Sequence, residues 1–271
     1  MLSPEDPEFL LEATGSLVNI TAGNLQQTSA VAEAGAIPKL VKLFPPSCDS
    51  SKEAILTTFG NMLVHAGYLR KLVIREGGLK LALDVLRAPE DHSAGCAEAA
   101  AWAVASAAKG GDAGFLDDDS ESQTIAASIA FIRNQSDKSS KLFKETVKAL
   151  VQISFYRDLT AEIIKSGITP QIVQLCAVED NQLRENALRL VVHISAGSED
   201  SVQALIDADC LTTLGAVIAE RPRDRGIACS ALANLARGTP RHARAFMESP
   251  LLPHLLQTLS DPIKALGCRA E

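Results

Sequence analysis

Apolar residues recur along this chain at the spacing of one helix face, and the whole pattern recurs six times. The segments 11–20, 53–62, 98–107, 144–153, 185–194 and 226–235 align on their ninth position, which reads Asn19, Asn61, Ser106, Gln152, His193 and Asn234. Subtracting those positions gives spacings of 42, 45, 46, 41 and 41 residues. Two residues before this anchor stand Leu17, Phe59, Val104, Leu150, Val191 and Leu232; one after it stand Ile20, Met62, Ala107, Ile153, Ile194 and Leu235. Six before it are Ala13, Ile55, Ala100, Thr146, Ala187 and Ala228. These offsets form the i, i+4, i+7 stripe of a helix packed along one face. Three before the anchor the residue is mostly small (Ser16, Thr58, Ala103, Ala149, Ala231), which suits close helix approach.

A second signature follows most anchors by about 16 residues. It reads Ala34-Gly35-Ala36-Ile37-Pro38, Glu76-Gly77-Gly78-Leu79, Ser166-Gly167-Ile168-Thr169-Pro170, Ala208-Asp209-Cys210-Leu211 and Ser249-Pro250-Leu251-Leu252-Pro253. Glycine supplies the positive φ that ends one helix, and proline is tolerated in the first turn of the next. Each unit therefore reads as a short helix, a sharp turn, a second helix, a polar linker and a third helix bearing the anchor.

A three-helix unit of this length and turn resembles the armadillo repeat. The runs at 33–44, 98–108 and 229–238 look particularly like importin-α; two-helix HEAT units are the structural runner-up, which the sharp glycine turn disfavours. The resemblance implies an all-α, armadillo-type α-solenoid, a right-handed superhelix in which each repeat buries its face against its neighbours. Residues 1–271 then form a single array of about five full repeats with partial repeats at both ends, either a piece of a longer chain or one whose ends meet other segments.

The resemblance also places the anchors on a concave groove. In importin-α-like arrays an anchor Asn bonds the backbone of an extended peptide, and a Trp four residues earlier stacks on its Lys or Arg stems. The physics is sound, because residues i and i+4 share a helix face, an amide both donates and accepts, and a ring face attracts a cation. Asn occurs at Asn19, Asn61 and Asn234, whereas the Trp position reads Gly15, Thr57, Trp102, Lys148, Arg189 and Ser230. No repeat carries both. Nor do acidic residues follow the anchors, where the chain reads Ala22-Gly23, Val64-His65, Ala108-Lys109 and Arg237-Gly238. Lys148, Arg189 and His193, with Lys109 and Arg237 one turn past their anchors, make the expected groove basic instead. Such a face is similar to a β-catenin-like groove that holds an acidic partner by charge-assisted bonds; the bland alternative is ordinary solvated charge. For the Asn residues the alternative is capping or exposure, and for Trp102 plain packing.

The third repeat departs from the pattern. Residues 109–122 hold three glycines and five acids, so an acidic, Gly-rich loop over 109–123 is expected in place of a short helix. Ser120 and Ser122 sit in an acidic context that acid-directed kinases favour, and the loop could fold back on Lys109 or Lys148 as a pseudo-ligand.

Composition and charge narrow the function. The chain is 46% hydrophobic but only 4% aromatic, which suits a thin Leu/Ile/Val/Ala core and argues against stacking platforms for single-stranded nucleic acid. A net charge of −7 disfavours bulk attraction to nucleic acid or anionic membrane. The apolar run at 97–108 is too short to span a bilayer, and no signal peptide or lipidation motif is visible, so an intracellular protein of the cytoplasm, with the nucleus open, is expected. The six cysteines show no CxxC pair and no metal spacing to His, and read as small hydrophobes in a reducing compartment. His242 and His254 look like solvent or linker residues. No P-loop, GxGxxG, GxSxG or HExxH occurs, so neither catalysis, cofactor nor metal is expected.

The expected function is a non-catalytic module binding an extended, acidic peptide of a protein partner. Two alternatives stand beside it: an importin-α-like nuclear import adaptor, or a fragment of one, with a degenerate cargo site; and an armadillo scaffold at a vesicle, cytoskeletal or axonemal assembly. The oligomeric state is not legible.

Overall fold

The computed structural model describes residues 7–65, 67–109, 118–135, 137–237, 239–249 and 251. Among them the chain is helical, with no strand, and no single helix is long and apolar enough to cross a membrane. Two compact units divide it, Met1–Tyr156 and Arg157–Glu271.

In the first unit the anchor helices are α1 (Pro7–Thr21), α4 (Asp49–Val64), α7 (Ala94–Ala108) and α9 (Lys141–Ser154), each packed on the next. Between α1 and α4 lie α2 (Leu25–Glu33) and α3 (Ala36–Leu43); between α4 and α7 lie α5 (Tyr68–Arg75), α6 (Gly78–Arg87) and a 3-10 turn, Pro89–Asp91. The second unit runs α10 (Thr160–Ser166), α11 (Thr169–Leu175), α12 (Asn181–Ser195), α13 (Glu199–Asp207), α14 (Cys210–Glu220), α15 (Arg225–Ala236) and α16 (Pro240–Glu248). There the anchor helices are α12 and α15, packed on each other and backed by α11 and α14.

The apolar stripe behaves as its spacing predicts. Ile55, Phe59 and Met62 in α4, Ala100 and Val104 in α7, Leu150 and Ile153 in α9, Ala187 and Val191 in α12, and Ala228 in α15 have no accessible surface. The exception is α1, where Ile20 is 43% exposed and Ala13 and Leu17 are half-buried. Its buried residues, Leu10, Thr14 and Thr21, lie on another face, and no described helix precedes α1 to cover the stripe.

The turns also follow the sequence. Gly35, Gly77 and Gly167 adopt φ of 73°, 93° and 75° between the short and second helices. Asp209 holds the same place at φ 61°, the one non-glycine there among the described residues. Helix starts carry side-chain caps: Ser93, Ser140 and Asp180 accept from the N–H groups of Cys96, Phe143 and Leu183, and Asn24 and Gln27 form a reciprocal box.

One element differs from expectation. Residues 110–117 lie outside the described residues, but from Asp118 the chain is helical, forming α8 (Asp118–Asn134) rather than loop to residue 123. Acids in a first helical turn complement the helix dipole. Behind them Ile125, Ile129 and Ile132 make a buried i, i+4, i+7 stripe against α6 and α9. Arg87 on α6 also donates to Gln123 Oε1 at 3.2 Å.

Candidate functional site

The anchor asparagines do a job that needs the neighbouring repeat. Asn61 Nδ2 donates to Val18 O at 3.3 Å and to Thr21 Oγ1 at 3.1 Å on α1. Asn234 Nδ2 repeats the geometry in the second unit, reaching Val192 O and Ser195 Oγ on α12, both at 3.3 Å. Each acceptor pair occupies the positions one before and two after the preceding anchor. The amide thus ties the C-terminal end of its helix to that of the helix before it. Among the described residues neither Oδ1 accepts a hydrogen bond, so each amide retains an acceptor for a partner's N–H. Asn19, in the helix with no described predecessor, is exposed.

Trp102 is half-buried, and its ring lies on Gly60: a Cβ built there would stand 2.1 Å from Trp102 Cζ3. The absence of a side chain at Gly60 admits the ring, and Gly60 immediately precedes Asn61. The Trp102 ring from one repeat thus packs on the residue preceding the anchor Asn61 of the repeat before it, while the Asn61 amide is directed to α1. Ser106, the anchor in the Trp102 repeat, is buried at 5% exposure and offers little to a ligand. Gln152 is half-buried on α9, and Lys109 is exposed at the end of α7.

The basic positions are partly satisfied internally. Lys148 Nζ pairs with Glu145 at 2.9 Å, and Arg189 with Glu185 at 2.6 Å, each along its own helix. Burial, reinforced by the Arg189 guanidinium, pushes the His193 imidazole below its ordinary value and favours its neutral form.

Around Asn234 the second unit opens a polar cleft of about 400 Å³, lined among others by Ser195, Glu199, Arg237, Thr239 and His242. Arg237 is exposed there, with no ion-pair partner among the described residues. His242, expected in solvent, is 4% exposed. Its Nδ1 accepts from the Thr239 N–H at 3.2 Å and its own N–H donates to Thr239 Oγ1, closing a capping box at the start of α16. Thr-x-x-His is the legible signal, with imidazole standing where Glu or Gln is usual. His254 lies outside the described residues.

Ser120 and Ser122 both fall within the opening turns of α8, Ser122 exposed and Ser120 half-buried, so the loop expected to carry them is helix at that point. Burial raises the Cys96 thiol to about 11 and the Cys210 thiol to about 12, as befits core residues. Cys48 and Cys229 are exposed instead, and Cys268 is outside the described residues. One cluster escaped the sequence reading: Asp49, His92 and Cys96 gather their ligand atoms within 4.8 Å of one another. His92-x-x-x-Cys96 was the available signal. Asp49, 43 residues before His92, is supplied only by repeat stacking.

No family profile matches the chain. It is similar to importin subunit alpha-1a of Oryza sativa subsp. japonica, 27% identical over 260 residues, covering 94% of this chain and 48% of that protein. Importin subunit alpha-1b of the same organism is 27% identical over 215 residues, 79% of this chain and 39% of that protein. The chain thus spans less than half the length of these relatives. Among solved structures, an engineered protein matches with TM-score 0.80 at 22% identity, covering 94% of this chain and 61% of that one. A computationally designed armadillo repeat protein for modular peptide recognition matches with TM-score 0.74 at 22% identity, over 85% of this chain and 94% of that one. A designed armadillo repeat protein in complex with the peptide (KR)4 matches with TM-score 0.72 at 22% identity, over 85% and 95%. The fold is an armadillo-type α-solenoid.

Proposed function

We propose that this chain is a non-catalytic protein-interaction module whose third-helix faces hold extended, acidic segments of partner proteins. The observation that carries the reading is the cleft beside Asn234. An extended peptide offers backbone N–H groups and, if acidic, carboxylates. Asn234 Oδ1 is an acceptor for the first, and Arg237 is an exposed guanidinium for the second. Asn61 offers the same acceptor in the first unit.

The internal ion pairs of Lys148 and Arg189 do not stand against this. Pairs at i, i+3 and i, i+4 along one helix are worth about 0.2–0.5 kcal/mol, and these two are half-buried rather than sealed, so a partner carboxylate can take either cation from its glutamate at small cost. On the second unit, a basic peptide such as the (KR)4 held by a designed armadillo protein would meet Arg189 and Arg237 and be repelled.

A second reading, an import adaptor with a degenerate cargo site, is favoured by the similarity to importin alpha subunits and by the Asn61–Gly60–Trp102 arrangement. In that reading Trp102 stacks on a cationic side chain of the cargo. Residence in the cytoplasm and nucleus accords with either reading.

Co-purification with mass-spectrometric identification separates them. Partners of the wild-type chain should be enriched in extended acidic segments and lost from Arg189→Glu/Arg237→Glu. Partners with basic segments that depend on Trp102 would establish the adaptor reading instead. Partners indifferent to both sets of substitutions would point to a scaffold using other surfaces.

A further inference from the structure

Three chemically different donors converge where α4 and α7 begin. Asp49 is the first residue of α4, His92 follows the 3-10 turn, and Cys96 lies in the first turn of α7. Their ligand atoms lie within 4.8 Å of one another, and His92 Nδ1 stands 3.7 Å from Asp49 Oδ1. Tetrahedral zinc, with bonds of about 2.0–2.3 Å to O, N and S, needs its donors roughly 3.3–3.7 Å apart. Small side-chain rotations close that difference.

The surroundings are those of a coordination site. Cys96 has no accessible surface, and His92 Nδ1 is sealed from solvent without a hydrogen-bond partner. A buried polar atom left so is destabilising, and a cation between it and the carboxylate would satisfy it. The Ser93 N–H donates to Asp49 Oδ2 at 2.6 Å, an outer contact that orients the carboxylate and leaves Oδ1 toward the imidazole. Glu53, one turn beyond Asp49, lies against the start of α7: a Cβ on Gly95 would stand 2.1 Å from its Oε2. Water would complete the shell, with Glu53 nearby in the helix.

We propose that Asp49, His92 and Cys96 form a structural binding site for a zinc-class divalent cation that pins α4 to α7. Mixed thiolate, imidazole and carboxylate donors suit zinc and exclude magnesium and calcium, which take oxygen shells. The resident competitor is Lys52, whose Nζ stands 3.7 Å from Asp49 Oδ1 and 5.9 Å from the Phe44 ring. Zinc entry turns Lys52 away to the ring or to solvent.

The test uses the whole chain freed of metal with EDTA and then titrated with Co²⁺ and with Zn²⁺. One equivalent of Co²⁺ should give tetrahedral d–d bands with a thiolate-to-cobalt charge-transfer band, and Zn²⁺ should abolish both. Cys96→Ser should lose the charge-transfer band. His92→Gln and Asp49→Asn should each weaken binding at least about tenfold, and Lys52→Met should tighten it. Zn²⁺ should raise the melting temperature of the wild type and leave His92→Gln unchanged. No band at one equivalent would overturn the proposal. So would a band surviving Cys96→Ser, or a zinc shift equal in wild type and His92→Gln. Because His92→Gln removes no fully buried side chain, it keeps the test decisive should Cys96→Ser fail to fold.

Discussion

Arg184 and Asp224 fasten the N-terminal ends of α12 and α15, the helices that carry His193 and Asn234. Arg184 is 4% exposed; its Nε donates to Asp224 Oδ2 at 2.6 Å and its Nη2 to Asn181 Oδ1 at 2.7 Å. Its Nη1 donates to Val178 O at 2.8 Å and Glu179 O at 3.1 Å. Asp224→Ala leaves the guanidinium buried with its neutral partners and without its hydrogen-bonded counter-ion, Glu179 acting on it only at longer range. Breaking one side of a buried pair costs about 3–5 kcal/mol. Asp224→Asn retains a hydrogen-bond acceptor and removes only the charge, so it should cost less, about 1–2 kcal/mol. Urea unfolding followed by circular dichroism gives the totals, and amide exchange in α12 and α15 gives the local loss. The Asn234 amide holds the opposite ends of the same helices, so exchange should accelerate toward the N-terminal ends first. A loss under about 1 kcal/mol for Asp224→Ala, against the magnitude expected of a dry pair, would refute the reasoning.

Three further expectations concern single positions. Asp209→Gly relieves a left-handed backbone that glycine adopts freely and should stabilise the chain by about 0.5–1 kcal/mol, seen as a higher melting temperature; a fall would contradict it. Asn61→Ala and Asn234→Ala each remove the amide's bonds to the preceding helix, while the carbonyls and hydroxyls left behind keep their own intrahelical partners, so each should cost about 0.5–1.5 kcal/mol in urea unfolding, the equal geometry predicting similar losses. His193, its pKa depressed by burial, favours the neutral form in the fold. Its stabilisation is complete above the ordinary value of 6.5 and is lost as pH falls through the lower folded value. His193→Asn should therefore show a smaller fall in melting temperature between pH 7.5 and pH 5.5, on either side of that ordinary value, than the wild type. An equal fall would show that His193 is not the group that titrates.

The fold was legible because its information is local and repeated. Phe59, Val104, Leu150, Val191 and Leu232 stand at one offset of one stripe, and Gly35, Gly77 and Gly167 mark one turn. The start of α8 was misread because three glycines and a run of acids were weighed by average propensity. The position of those acids at a helix start, ahead of Ile125, Ile129 and Ile132, was the better guide. The anchor positions were legible as positions but not in their bonding. Where Asn61 and Asn234 direct their Nδ2 depends on a helix some 42 residues earlier, as does the pairing of Trp102 with Gly60. Lys148 and Arg189 were likewise legible as cations but not in their pairing, since Glu145 and Glu185 lie outside the stripe being compared.

The central claim is that the third-helix faces select acidic extended segments, and a charge-exchange titration tests it most directly. Fluorescence anisotropy would compare a labelled Glu-Ser repeat peptide with (KR)4, against wild type and Arg189→Glu/Arg237→Glu, at low and moderate salt. The account predicts that the wild type binds the acidic peptide, more weakly as salt rises, and that the double variant reverses the preference. Tighter binding of (KR)4 by the wild type, or an acidic-peptide affinity untouched by the two reversals, would contradict it.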